Sequence, residues 1–245
     1  MDISNITTTS RDTILINIEK FQKGCQKLKV LNANHTMLSL SDTPIKEQVH
    51  SPGFPHLQEL YIAVDSRGYF DGMDDSQIER ILKKSANLRL LDIRGCQHVT
   101  ESCLIRLPTW DLERLVVAGC SAAAEGFDGL ELVVKKWANK LVDIDIGLTT
   151  GRAVNNAIDA FAESDDVQLR YVAATFVRNI LKLFYSKALV KKSILFGIKI
   201  ILLHNYFRTS ISKIIYLAFI FLFTKKEIIV FNILVANCCL IAIAD

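Results

Sequence analysis

One pattern limits what this chain can fold into more than any other: apolar residues at fixed offsets, repeated in phase. The segment Leu88-Arg-Leu-Leu91-Asp-Ile93-Arg-Gly-Cys96 reads Leu-x-x-Leu-x-apolar-x-x-Cys. Val99, Thr100 and Glu101 come next, then Leu104 and Leu107 at helical spacing. Leu112-x-x-Leu115-x-Val117-x-x-Cys120 follows at once, then Leu141-x-x-Ile144-x-Ile146 and Leu169-x-x-Val172-x-Ala174. Upstream stand Leu57-x-x-Leu60-x-Ile62 and Leu28-x-x-Leu31-x-Ala33. Side chains alternate along a strand, so the last two apolar residues of each unit point to one side of it. A unit this short cannot bury them alone and needs neighbours.

The leading leucines fall at 28, 57, 88, 112, 141 and 169, steps of 24 to 31 residues. Two units carry Cys at the same offset, at Cys96 and Cys120. This is the pattern of a leucine-rich repeat of the cysteine-containing type. The expected fold is an α/β leucine-rich-repeat solenoid, ribonuclease-inhibitor-like, over residues 1–175. Each unit would supply a short strand, a turn and a helix on the convex side, and stacking would bury one continuous core. Function is then expected on a surface spread over several units, with no catalytic centre.

Helix signals fit this plan. Ser76-x-x-Glu79 reads as a capping box before Ile78, Ile81 and Leu82. Asp128 is placed to cap a helix whose Leu130, Val133, Val134 and Trp137 share one face, so Trp137 reads as core. Val154, Ala157, Ile158 and Phe161 form another such face. Pro108 ends the helix after Leu107 and accounts for the short step to Leu112.

The charge balance is slight: 29 Lys and Arg stand against 26 Asp and Glu. No basic stripe of the kind nucleic-acid binding needs is present, and nucleic acid is not an expected partner. The six cysteines include no CxxC pair and no His/Cys set at metal spacing. No metal and no cofactor are expected. Cys96 and Cys120 read as reduced thiols buried against the turn after the strand, and Cys25 and Cys103 as helical core positions. Met1 is followed by a polar run unlike a signal peptide, which fits a cytoplasmic or nuclear setting. No glycine lies in a phosphate-loop context.

Both ends depart from a complete array. Met1-Asp2-Ile3-Ser4-Asn5 resembles Leu91-Asp-Ile-Arg-Gly95, so the sequence is read as starting inside a longer array. From 176 to 245 it becomes apolar, with no proline and one glycine, Gly197. Three readings of this tail stay open. Ile228–Ala244 is just short of the ~20 residues that span a bilayer, and Ile211–Phe223, flanked by Lys225-Lys226, suits an interfacial segment. Membrane contact through 211–244 is one reading, with adjacent Cys238-Cys239 open to acylation. Buried helices are the second. Read-through into A/T-rich noncoding sequence is the third, since Ile, Phe, Leu, Lys, Asn and Tyr dominate.

The strands would line the concave face, where solvent-facing positions form rows across units. One row is Asp2, Asn32, Tyr61, Asp92, Val116, Asp145 and Ala173; its neighbours are Ser4, Asn34, Ala63, Arg94, Ala118, Gly147 and Thr175, and Val30, Glu59, Leu90, Arg114, Asp143 and Tyr171. The candidate protein-binding residues are Asn32, Tyr61, Asp92, Arg94, Arg114, Val116, Asp143, Asp145 and Tyr171. Tyr61, Tyr171, Arg94 and Arg114 are the expected anchors, because Tyr and Arg are enriched in binding hot spots. The carboxylates Asp92, Asp143 and Asp145 face one way through strand alternation, which accounts for them without acid–base chemistry.

The stretch from about Gly53 to Val172 resembles the F-box and leucine-rich-repeat protein family. The resemblance rests on Met73-Asp-Asp-Ser-Gln-Ile-Glu-Arg-Ile-Leu-Lys-Lys-Ser85 and on Leu88 to Thr100. It continues through Leu104-Ile-Arg-Leu-Pro-Thr-Trp-Asp-Leu-Glu-Arg-Leu115 and Val-Val-Ala-Gly-Cys-Ser121. It covers roughly half the chain. In that family an N-terminal F-box binds the adaptor of an SCF ubiquitin ligase, and the repeats hold a protein substrate; the chain itself performs no catalysis. This sequence departs from that plan: no F-box is recognisable, and the apolar tail stands where later repeats would. The resemblance therefore implies substrate recognition for ubiquitin-dependent degradation, with adaptor binding only where a parent protein carries the F-box upstream. A non-ligase interaction scaffold and a membrane-tethered repeat protein are the alternatives.

Overall fold

The computed structural model describes residues 1–5, 13–64, 72–120, 129–147, 151–164, 167–174 and 199–202. In chain order they form β1 (Ile14–Ile16), α1 (Ile18–Gly24), β2 (Val30–Asn32), β3 (Leu38–Leu40), α2 (Ile45–His50), β4 (Glu59–Tyr61), α3 (Asp75–Leu82) and β5 (Leu90–Asp92). Then come α4 (Glu101–Arg106), β6 (Arg114–Val116), α5 (Leu130–Trp137), β7 (Asp143–Ile146), α6 (Gly151–Glu163), β8 (Tyr171–Ala174) and β9 (Lys199–Leu202). The large sheet is parallel, with order β2-β4-β5-β6-β7-β8-β9, and β1 pairs with β3 in a two-stranded parallel sheet of its own.

Register follows the leucine spacing. Leu31, Leu60, Leu91, Leu115, Ile144 and Val172 stand side by side across six strands. None is more than 3% exposed, and all join one core with Ile78, Leu82, Leu104, Val133 and Trp137 from the helices. Each such side chain contributes roughly 1.5–3 kcal/mol by leaving water, and none finds enough partners within its own unit.

The architecture corrects the expectation of a ribonuclease-inhibitor-like solenoid. The chain forms a parallel-sheet α/β fold, the class to which Rossmann-type domains also belong, and not the regular solenoid that the spacing predicts. The units are unequal. Between β2 and β4 lie a strand and a helix, and that strand, β3, pairs with β1 outside the main sheet. Helices run from the 6 residues of α2 to the 13 of α6, and α2 contributes no buried residue. The sequence conceals this because Ile14-Leu-Ile16 and Leu38-Ser-Leu40 are strands of three residues with no repeat signature. Strand order among the described residues never reverses, so the crevice that a reversal of strand order opens in doubly wound sheets is not formed there. The segment expected to be an apolar tail supplies β9, paired with β8; the proposed membrane stretch 211–244 and Cys238-Cys239 lie outside the described residues.

In four of the units the chain leaves the strand position in one recurring way. Asn5, His35, Gly95 and Gly119 occupy equivalent positions, and all have φ between 55° and 75°. At Gly95 a Cβ would stand 2.6 Å from the Val64 carbonyl oxygen, so glycine is required there by contact as well as by φ. The next residue in two units is the cysteine. Cys96 donates its thiol to the Ile62 carbonyl at 3.7 Å, and Cys120 donates to the Ile93 carbonyl at 3.0 Å. Burial pushes the Cys96 thiol up to about 11 and the Cys120 thiol well above its usual value, so both remain protonated and unreactive at neutral pH.

Helix starts differ in detail from expectation. The capping box of α3 is built by Asp74 and Gln77, two residues before the expected Ser76 and Glu79. Asp74 wins because its carboxylate accepts both the Gln77 N–H and the Ser76 hydroxyl, each at 2.8 Å. The N-cap of α5 is Gly129, and Asp128 lies outside the described residues. Helix α4 stops at Arg106, and Leu107 before Pro108 is extended at ψ 141°. Lys136 of α5 then donates to the carbonyls of Leu104, Ile105 and Leu107, closing the exposed end of α4.

Candidate protein-binding face

Parallel pairing sets the candidate residues in two rows. Asn32, Tyr61, Asp92, Val116 and Asp145 are direct cross-strand neighbours in that order. Glu59, Leu90, Arg114, Asp143 and Tyr171 form the second row in the same register. Arg94 lies just past the end of β5, where the Val64 N–H donates to its carbonyl at 2.9 Å. Arg94 and Arg114 are exposed; Asn32, Tyr61, Val116, Asp143, Asp145 and Tyr171 are half-buried; Asp92 is buried.

Most of these charges are already engaged with one another. Arg94 grips Asp92 with two bonds, Nε to Oδ1 at 3.0 Å and a terminal nitrogen to Oδ2 at 2.7 Å. Arg114 Nε meets Asp143 Oδ2 at 3.0 Å, and the Tyr61 hydroxyl donates to Glu59 Oε2 at 2.8 Å. Burial, then the neighbouring Glu59, pushes Tyr61 up to about 12, so it is a neutral donor at all working pH. Arg94 is the most restricted of the expected anchors, since Asp92 depends on it.

The Asp and Asn residues of the first row have a local task that sequence reasoning missed. Asp2, Asn32, Asp92 and Asp145 each accept, through Oδ1, the backbone N–H of the residue two further on: Ser4, Asn34, Arg94 and Gly147, at 2.9 to 3.3 Å. This Asx bond turns the chain out of the strand. An Asx residue at one offset in four units was the available signal. The position is thus partly structural, and Tyr61, Val116 and Ala173 are the members without that duty.

Other polar groups were not foreseen. Glu19 and Arg80 form a buried bidentate pair, joined by Gln22, whose amide donates to the Arg80 carbonyl at 2.8 Å, and by Ser51, whose hydroxyl donates to Gln22. Trp110 is 68% exposed, with the Lys136 ammonium 5.3 Å from its ring centre. Among the described residues no group of three His, Cys, Asp or Glu side chains is placed to hold a metal ion. Among them, too, no helix is long and apolar enough to cross a membrane. No protein-family model and no curated protein matches the sequence.

Proposed function

We propose that the chain binds a protein partner on the strand-lined face of its parallel sheet and performs no catalysis itself. One observation supports this: residues from successive strands stand in register on a face that combines Tyr61 and Tyr171 with paired charges and the small Val116. Aromatic side chains among satisfied polar groups offer contact area with little loss of side-chain freedom. By the family resemblance, the partner is a substrate held for ubiquitin transfer by an SCF-type ligase, in the cytoplasm or nucleus. Contact with the ligase adaptor is proposed only for a parent protein in which an F-box precedes this region. Attachment to a membrane is proposed only for a form in which 211–244 is inserted.

A photo-crosslinking residue at Val116, between Asp92 and Asp145, tests the face. In the full chain it should give protein adducts that fall several-fold in Tyr61→Ala and Tyr171→Ala. Adducts from a probe at the exposed Leu132 of α5 but none from Val116 would overturn the reading. Adaptor and cullin recovered with the parent protein support the ligase role; adducts without them favour a scaffold. Arg94→Ala is a poor test, because it strips Asp92 of its partner.

A further inference from the structure

In a parallel sheet every helix-to-strand link falls at the same end. Three such links, residues 25–29, 51–58 and 83–89, lie side by side. The Gln58 N–H donates to the Lys29 carbonyl and the Arg89 N–H to the Gln58 carbonyl, each at 2.7 Å. Asn87 donates to the Pro55 carbonyl at 2.8 Å, and Lys84 lies so close to Gly53 that a Cβ added there would stand 2.9 Å from its own. Together the three links hold Lys27, Lys29, Lys83, Lys84 and Arg89 and not one Asp or Glu. All five cations are exposed. Lys83 has a local task, donating to the Gln48 and Val49 carbonyls at the end of α2, each at 2.6 Å. Lys27, Lys29 and Arg89 stand beyond the last turn of any helix, where the pull of the helix dipole has faded. Arg89 meets Glu113 of the next link at 3.5 Å, an exposed contact that contributes little. That next link, 107–113, carries Asp111 and Glu113, so the basic surface ends there.

We infer that this three-link surface docks an acidic segment of a protein partner, a short run of Asp or Glu in extended chain. The surface is separate from the strand-lined face and uses neither Tyr61 nor Tyr171. Lys29 and Arg89 are two strands apart, about 10 Å, the reach of roughly three residues of extended chain. Carboxylates at that spacing gain charge-assisted bonds from both, and from Lys27 and Lys84 beside them. The acidic boundary favours a peptide over other anions. A nucleic-acid strand or an anionic bilayer would carry its uniform negative charge into Asp111 and Glu113, whereas a peptide can set a neutral or basic residue there. The cations are scattered along the chain and only the parallel sheet gathers them, so the sequence shows no basic run.

The test is a titration of the full chain with a fluorescent dodecapeptide carrying a central run of glutamates, read by anisotropy. The same peptide with glutamines, a labelled oligothymidylate, and phosphatidylcholine vesicles with and without phosphatidylserine serve as competing probes. The variant is the double change Lys29→Gln with Lys84→Gln, which removes charge but keeps the aliphatic stem that Lys84 lays over Gly53. Its control is Lys135→Gln with Arg152→Gln, an equal loss of charge at exposed positions on α5 and α6. The glutamate peptide should bind about tenfold or more tightly than the glutamine peptide, and should lose about that factor in the double variant. Its affinity should be unchanged in the control and in Tyr61→Ala. No preference for glutamate, or equal losses in variant and control, overturns the surface. A loss in Tyr61→Ala moves the peptide to the strand-lined face and overturns the separate surface, leaving the proposed function in place. Oligothymidylate or phosphatidylserine binding that depends on Lys29 and Lys84, without peptide binding that does, overturns the acidic segment as the occupant.

Discussion

Arg80 and Glu19, 61 residues apart in the chain, meet through two parallel bonds of 2.9 Å, Nε to Oε1 and a terminal nitrogen to Oε2. The Glu19 side chain is 2% exposed and that of Arg80 15%. Arg80 also donates to the Ser41 carbonyl at 2.9 Å, so one guanidinium ties α1, α3 and the end of β3 together. This pair fastens the two-stranded sheet to the main one. Burial, the largest influence on Glu19, raises its pKa, yet the bonds from Arg80 and Thr43 together leave it below the usual 4.5. A carboxyl depressed on folding contributes stability above its unfolded pKa, and that contribution is lost as pH falls through the folded value. Acid unfolding of the parent should therefore include a component, beginning near pH 4.5 and extending to lower values, that Glu19→Gln removes. Arg80→Met should cost about 3–5 kcal/mol at pH 7, because it strands a buried charge. Denaturant melts of both variants across the acid range and at neutral pH check this; identical pH profiles in Glu19→Gln and the parent would refute it.

Gly95 makes a sharper claim about the turn. Its φ of +75° opposes a side chain, and so does the Val64 carbonyl oxygen, 2.6 Å from where a Cβ would stand. Gly95→Ala should destabilise by about 2 kcal/mol. Gly24→Ala, where nothing lies within 4 Å of the added carbon, should change stability far less. Equal losses in the two variants would mean that the turn is not as described.

The shared core predicts a contrast between two leucines. Leu91, fully buried at the centre of the register, should lose about 2–5 kcal/mol on truncation to Ala. Leu132, 51% exposed on α5, should stay within about 0.5 kcal/mol of the parent. Urea titration of both reads the difference directly.

Asp145 gives a pH test of opposite sign to Glu19. Burial, the leading cause, raises its pKa above 3.8 even though the Gly147 N–H bonds to it. A carboxyl raised on folding lowers stability as pH rises from the unfolded pKa through the folded one. Asp145→Asn should therefore be at least as stable as the parent at pH 7, with its advantage vanishing below pH 3.8. Thermal melts at the two pH values decide it; a large loss at pH 7 would show that the carboxylate charge itself holds the turn.

The sequence by itself determined where the main strands lie and which residues share a row, because alternation and a leucine every few positions leave one register that buries every apolar side chain. It also placed Cys96, Cys120 and Trp137 in the core, the cysteines by a fixed offset from a strand and Trp137 by its place on the apolar face of a helix. It did not reveal the parallel-sheet α/β architecture with a second sheet, in place of a regular solenoid. Three-residue strands such as β1 and β3 carry no periodicity of their own, and only their pairing makes them strands. Nor did it reveal which charges on the strand-lined face are spoken for. Arg94 and Asp92 are two residues apart in the chain, while Arg114 finds Asp143 on the neighbouring strand and Glu19 finds Arg80 from another part of the fold. The candidate face was legible as a set of positions because its geometry is local. Its electrostatics were not, because ion-pair partners are chosen by packing between units and not by spacing along the chain.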